Sequence, residues 1–343
     1  MRILAVRQDK LGDFMLSWPA LAALKENLPR ARVAVLVSAY TREMAELCPW
    51  IDEVIVDPAT EPSGPRGPAA VQRLAAELRA CRFDAAVTLF STTHVGLALW
   101  LARVPLRLAP ATKLAQVFHN RRVVQRRSRS EKPEWRYNLD LALALLQEFG
   151  VAAPVVPGPP FLRFGPDELQ GVEREFRAAH GIEPGRRLVF LHAGSGGSAG
   201  NLSLDQYAAL ARALESRHGH VMVLTAGPGE LARVQALAER LEGVPHVVHH
   251  STGGLAAFAR RIALADVFIS GSTGPLHVAG ALDVPTAGFY TRRRSATALR
   301  WQTLNTPERR LAFMPPETAA EEDMGAVDVA AAAAEISRRF LGA

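Results

Sequence analysis

Two rhythms of apolar residues alternate along this chain. Short, nearly continuous apolar runs rich in β-branched residues stand at Ile3–Val6, Arg32–Val37, Val54–Val56 and Ala85–Leu89. Between them, apolar residues recur at helical spacing over about 14–28, 41–48, 68–80 and 93–103, with a further helix at about 135–149. A strand apolar on both faces is covered on both sides, so the alternation predicts a parallel sheet flanked by helices.

The pattern breaks once. Ala152–Pro160 carries Pro154, Pro157, Pro159 and Pro160 with Gly158, which neither a helix nor a central strand tolerates. Beyond it the alternation resumes, with strands at Arg187–His192, His220–Thr225, His246–His249, Val267–Ser270 and Thr286–Phe289. Helices are expected at about 167–180, 204–218, 228–242, 254–264, 275–281 and 326–341. The reading is α/β, two Rossmann-like doubly wound parallel-sheet domains facing across a cleft. Residues 1–151 form the first domain, 152–166 a linker and 167–325 the second. A terminal helix, 326–343, is expected to pack back on the first domain. Such sheets bind ligands at the carboxyl ends of their strands.

Composition adds bounds. At 343 residues the chain exceeds what one core usually serves. Two cysteines without metal-type spacing exclude a disulfide scaffold and fit a reducing compartment. The apolar run after Met1-Arg2 is too short for a signal peptide, and none reaches a membrane span; a cytoplasmic location is expected. The net charge of +6 is modest but clustered: Arg121, Arg122, Arg126, Arg127, Arg129 and Lys132 share one stretch, which would attract anions. His246, His249 and His250 alternate along a strand without a completing carboxylate or cysteine, a poor metal set.

Three loops could carry chemistry. The first, Arg7-Gln8-Asp9-Lys10-Leu11-Gly12-Asp13, joins a strand to a helix. Gly12 would permit a tight turn, and Asp13 is either an N-cap or a general base. The second, Ala193 to Asn201, is built of small residues whose amides could approach an anion. Its Gly194-Ser195-Gly196-Gly197-Ser198-Ala199 matches the dinucleotide fingerprint, but the next helix begins late and the next strand ends without the ribose acid. The third, Ser270 to His277, runs from a strand into a helix with Pro275 in its first turn. Ser272 or Thr273 would cap that helix, and the amides of Thr273 and Gly274 with the helix dipole suit a diphosphate. His277 beside them reads as a phosphate contact. Glu230, after Gly227-Pro228-Gly229, would accept from ribose hydroxyls or cap a helix.

These loops together resemble glycosyltransferase family 9, the lipopolysaccharide heptosyltransferases. The opening Met1 to Arg7 with Leu11-Gly12-Asp13 and Pro19-Ala20-Leu21 is similar to the family's N-terminal signature. His192 to Gly196 resembles its donor-phosphate loop, and Ser272 to His277, with Ala279, Ala281-Leu282 and Val284-Pro285, its most specific motif. The resemblance implies a GT-B fold and an inverting, metal-independent transfer of heptose from an ADP-heptose donor, without a cofactor, to a lipopolysaccharide core or related anionic glycan. By position it makes Asp13 the catalytic base. Gly194, Ser195, Gly196, Ser272, Thr273, Gly274 and His277 would hold the donor diphosphate, with Glu230 near its ribose. Arg7, Lys10, Arg121 and Arg122 are the expected acceptor contacts. Expected partners are a nucleotide sugar, an anionic glycolipid or glycan and, at the periphery, the inner membrane surface, but no nucleic acid. The chain departs from the family where Gly200-Asn201-Leu202-Ser203 lacks a donor-loop lysine and Ser272 replaces an acid; Arg292, Arg293 or Arg294 could compensate. A diverged member using another nucleotide sugar, or an NAD-type oxidoreductase, is the alternative.

Overall fold

The computed structural model describes residues 1–112, 114–194 and 200–342, at 215–218 through the backbone alone. The chain forms two compact units: Met1–Arg127 with Glu131–Gly158, and the chain from Pro159 onward, grouped with Ser128–Ser130.

In the first unit the order is β1 (Arg2–Val6), α1 (Leu11–Met15), α2 (Trp18–Asn27), β2 (Arg32–Val37), α3 (Arg42–Glu46), β3 (Glu53–Val56), α4 (Gly67–Cys81), β4 (Ala85–Thr88), α5 (Thr93–Leu101), β5 (Leu106–Pro110), β6 (Arg121–Val123) and α6 (Glu134–Glu148). The sheet runs β3-β2-β1-β4-β5-β6, and its strands are parallel, with Leu4 opposite Ala34 on one side and Ala86 on the other. Ile3, Leu4, Ala5 and Val6 are fully buried because both faces are covered. Leu4 and Val6 join Leu74, Val95 and Leu99 on the α4–α5 face, and α2 packs on α6.

The single helix expected over 14–28 is two. Pro19, at the start of α2, cannot donate to the preceding turn, and the Ser17 hydroxyl instead donates to the Phe14 carbonyl at 2.6 Å.

The second unit repeats the plan. It runs α7 (Pro166–His180), β7 (Leu188–His192), α8 (Leu204–His218), β8 (Val221–Ala226), α9 (Leu231–Ala238), β9 (His246–His250), α10 (Gly254–Ile262), β10 (Val267–Gly271), α11 (Gly274–Ala281), β11 (Thr286–Phe289), β12 (Arg310–Phe313) and α12 (Val329–Ile336). Its sheet order is β12-β11-β10-β7-β8-β9, again parallel. The terminal helix packs within this unit: Ala332, Ala333 and Ile336 of α12 lie in its core with Leu210 and Leu214 of α8.

In each sheet the first strand has its successors on one side and the later strands on the other. The topological switch point therefore falls between β1 and β4 in one unit and between β7 and β10 in the other. Loops leaving these paired strands diverge and open a binding position at their carboxyl ends.

Candidate functional site

At the first switch point, α1 places its acid differently from the sequence expectation. Lys10 is the N-cap of α1, and Gly12 and Asp13 are helical residues; no side chain caps this helix. Asp13 is thus not a cap. Its carboxylate accepts from Arg7 Nη2 at 2.5 Å.

Arg7, expected to meet an acceptor, is buried and turned inward. Its Nε donates to Asp9 at 2.8 Å, and its Nη1 donates to Glu134 at 3.1 Å and to Asn138 at 2.9 Å. Four of the five guanidinium donors are thus engaged within the buried cluster, so the side chain holds the carboxylate rather than facing a ligand. Glu134 and Asn138 come from α6, and Asn138 also donates to the Leu16 carbonyl at 3.0 Å, tying α6 to the end of α1.

Of the three carboxylates around Arg7, Glu134 is 2% exposed, whereas Asp9 and Asp13, at 15% and 17%, keep an edge open to a substrate. Burial pushes the Asp13 carboxyl up to about 6, with Asp9 and Glu134 reinforcing and Arg7 opposing. The group is ionised at neutral pH yet close to the range in which a general base works best. Across the switch point Gln8 Nε2 donates to Thr92 Oγ1 at 3.2 Å.

The sequence expectation missed Glu134 and Asn138. A signal existed: both sit on the buried stripe of α6, among Tyr137, Leu141 and Leu145, where a polar residue needs a partner.

The basic stretch, expected to attract anions, includes a strand and a short 3₁₀ turn at Arg127–Arg129. Arg121 and Arg122 lie on edge strand β6, where consecutive side chains face opposite ways. Arg121 is paired with Glu148 at 2.9 Å. Arg127 turns inward to Glu134 at 2.6 Å and Lys132 pairs with Asp140. Lys10 is exposed in the Asp13 loop, three strand positions from Arg122.

At the second switch point, glycines make room for side chains. A Cβ on Gly194 would stand 2.1 Å from Glu230 Oε1. Glu230, the N-cap of α9, does not cap that helix; its Oε2 accepts from the Gly227 amide at 2.8 Å and lies 3.8 Å from His192 Nε2. The presence of a carboxylate against Gly194 argues against a phosphate at that residue and fits hydroxyl donors. A Cβ on Gly271 would meet Asn201 Oδ1 at 2.5 Å. Tyr207 donates to that same Oδ1 at 2.6 Å and accepts from the Gly271 amide at 3.0 Å. Asn201, in the stretch lacking the lysine, is therefore a strut between β7 and β10. Ser195 and Gly196 lie outside the described residues.

Thr273 is the N-cap of α11, and Pro275 lies in the first turn as expected. The Thr273 hydroxyl pairs with Ser270 Oγ at 2.9 Å and caps nothing. The first-turn amides are thus left without a side-chain acceptor, and Ser272, Thr273 and Gly274 are partly exposed. His277, expected as a phosphate contact, lies in the first turn of α11. It is buried, with Trp301 at 6.4 Å, and burial lowers it to about 4, so the ring is neutral.

Two of the three cations expected to compensate are engaged elsewhere. Arg292 donates to the carbonyl oxygens of Glu317 and Ala319, and Arg293 pairs with Glu322 at 3.0 Å. Instead Arg233 of α9, which sequence reasoning missed, reaches the mouth of β7, its Nε donating to the Ala193 carbonyl at 2.9 Å. Among the described residues no cluster of histidine, cysteine and acidic side chains is disposed to hold a metal.

The sequence profile of Glycosyltransferase family 9 (heptosyltransferase) matches residues 71–307. A Haemophilus influenzae protein described as a glycosyltransferase is 43% identical over 316 residues, covering 92% of this chain and 89% of its own. The structure of Escherichia coli ADP-heptose lipopolysaccharide heptosyltransferase II is similar with a TM-score of 0.77 at 18% identity, covering 99% of each chain. That of Escherichia coli heptosyltransferase WaaC with ADP gives 0.74 at 17%, covering 99% of this chain and 100% of that one. The last two are GT-B likenesses and identify the fold.

Proposed function

This chain belongs to glycosyltransferase family 9, and from that premise we propose that it moves a heptose from an ADP-linked donor to a hydroxyl of an anionic, lipopolysaccharide-type glycan. Family membership displaces the oxidoreductase alternative. The observation that carries the reading is the carboxylate of Asp13, gripped by buried Arg7 and raised by burial to about 6.

In this reading the acceptor oxygen attacks the anomeric carbon as its proton passes to Asp13. The bond from that carbon to the diphosphate oxygen breaks, and the departing diphosphate takes up the electron pair. Inversion follows from a single displacement. The amides at the start of α11 and its dipole meet the growing charge, as preorganised dipoles do in many active sites. Arg233 supplies the cation missing from 200–203, and Glu230 accepts from the ribose hydroxyls. His277 acts only as a neutral ring. Lys10, exposed beside Asp13, contacts the acceptor. The Escherichia coli relative WaaC was solved with ADP, which favours adenosine diphosphate over other nucleotides.

The test is a thermal-shift and transfer comparison of ADP-heptose with GDP-, UDP- and CDP-sugars, since a ligand bound only by the folded state raises apparent stability. Stabilisation by ADP-heptose, and transfer lost in Asp13→Asn, is the expected outcome. Stabilisation by another nucleotide sugar alone would replace the donor, and full turnover in Asp13→Asn would remove the base.

A further inference from the structure

The register of β11 and β12 sets Thr286 beside Arg310 and Gly288 beside Ala312. Alternate strand residues share a face, and Ala287, Phe289, Leu311 and Phe313 turn toward the core that holds α8 and α12. The opposite face therefore carries Thr286, Gly288 and Tyr290 on one strand and Arg310 and Ala312 on the other. The chain after β11 folds across that face and is pinned to it by Asn305, whose Nδ2 donates to Thr286 Oγ1 at 3.0 Å. Gly288 and Ala312, side by side, are too short to reach this cover. Between floor and cover lies a cavity of about 340 Å³, roofed by Ala298, Leu299, Gln302, Thr303 and Pro307.

Two donors line this cavity without a protein acceptor. Tyr290 is 3% exposed, and its ring folds back over Gly288, where a Cβ would lie 2.7 Å from the phenol oxygen. Among the described residues that hydroxyl has no hydrogen-bond partner. Arg310 is fixed through Nη1, which donates to the Thr303 carbonyl at 3.0 Å and the Asn305 carbonyl at 3.2 Å. Its Nε and Nη2, the fork that a carboxylate fits side-on, bond to no acceptor among the described residues. No acidic side chain among those residues lines the cavity. Burial raises the Tyr290 phenol, which stays a donor, and lowers the Arg310 guanidinium, which an anion would relieve.

We infer that this cavity is a binding site for a small organic carboxylate, its carboxyl group accepting from Arg310 Nε and Nη2 and from the Tyr290 hydroxyl, its apolar body resting on Ala298, Leu299 and Pro307. A single cation matches a monoanion, and a phosphate dianion would keep a net charge in a partly desolvated place. A neutral ligand would cover the guanidinium without pairing it. Leu299, 46% exposed, stands at the mouth, so the apolar end of the ligand faces outward and the carboxylate inward. The site is separate from the donor loops: β11 and β12 lie on the far side of β10 from β7, and binding there requires no sugar transfer.

The experiment is calorimetric titration of the whole protein with three probes: 3-phenylpropanoate, its uncharged amide and inorganic phosphate. The acid should bind at a single site, and the amide and phosphate about tenfold more weakly or not at all, the scale of one hydrogen bond to a charged group. Tyr290→Phe should weaken the acid by about the same factor. It should leave the melting temperature of the unliganded protein unchanged, because no protein hydrogen bond is removed. Ala312→Leu, on the exposed side of an edge strand, fills the floor and should abolish binding of the acid without unfolding the chain. Wild-type protein that does not bind the acid, an amide or phosphate that binds as tightly, or an acid whose affinity is unmoved in either variant overturns the site.

Discussion

The two units share one strand order and present a loop at the same switch point, yet they furnish that loop in opposite ways. In the first unit it is built from charged side chains: Arg7 is buried among Asp9, Asp13, Glu134 and Asn138. In the second it is built from backbone and clearance. Gly194 and Gly271 yield space to Glu230 and Asn201, the α11 amides have no side-chain cap, and burial keeps His192 and His277 neutral. A group that must change protonation during a cycle needs a scaffold that sets its pKa and fixes its rotamer. A leaving group whose charge only grows needs dipoles that do not titrate. The contrast is what the proposed division between acceptor activation and donor binding requires.

The sharpest way to break it is Asp13→Asn. If the first loop serves only proton transfer, turnover should fall by about 10²–10⁴-fold while stabilisation by the donor persists. Loss of donor binding would show that the loops are not divided in function. The pH profile checks the same point in the unaltered protein. With Asp13 raised to about 6, kcat should drop as pH falls through that value, because the protonated carboxyl cannot accept a proton.

Next in size is Arg7→Met, which leaves buried carboxylates without their cation and should cost about 3–5 kcal/mol in chemical denaturation. Arg7 pulls the Asp13 pKa down, so its removal must raise it and move the acid limb of kcat to higher pH. Arg7→Lys should restore part of both. A stability loss with an unmoved limb would reduce Arg7 to a packing residue.

The same contrast explains what the sequence could disclose. Most central strands were legible because burial on both faces makes them uniformly apolar: Arg32–Val37 and Thr286–Phe289 lie where the pattern put them. β5, β6 and β12 escaped notice: β5, though central, carries Arg107 and ends on Pro110, and β6 and β12 each pair on one side only and spend positions on Arg121, Arg122 and Arg310. The loops were legible through glycine, proline and Asp13, whose local geometry is written in consecutive residues. Their partners were not. Arg7 meets Glu134 across 127 positions of sequence, and Arg233 meets Ala193 across 40; such pairs exist only once the strands are in order. That is why Arg7 looked like an acceptor contact and Arg233 like nothing.

A smaller effect probes the clearance in the second loop. Gly194→Ala should displace the Glu230 carboxylate, which sits 2.1 Å from the new methyl, and raise donor KM by about tenfold, the scale of one hydrogen bond to a charged group. Glu230→Gln, which keeps the shape, should do less, and in neither variant should the acid limb of kcat move. A shift of that limb would mean that the donor loop influences the base and that the division of labour is wrong.

The smallest expected change is an absence of slope, and it separates amides from a histidine charge as the anchor for phosphate. A protonated His277 would make donor affinity fall as pH rises through its ordinary 6.5. With the ring lowered to about 4 by burial, it carries no charge across the range of about pH 5–8 in which histidine usually switches, so its protonation should contribute nothing to the pH dependence of donor affinity there. The proton bookkeeping appears in stability instead. Between about 4 and 6.5 the unfolded chain binds the proton that the folded chain refuses, so His277 adds stability as pH rises through that window and its share is complete above it. His277→Gln should therefore flatten part of the acid-side stability slope, measured by urea unfolding. A donor-affinity slope near 6.5 that disappears in the same variant would return the charge to the ring and make the second loop, like the first, a titrating one.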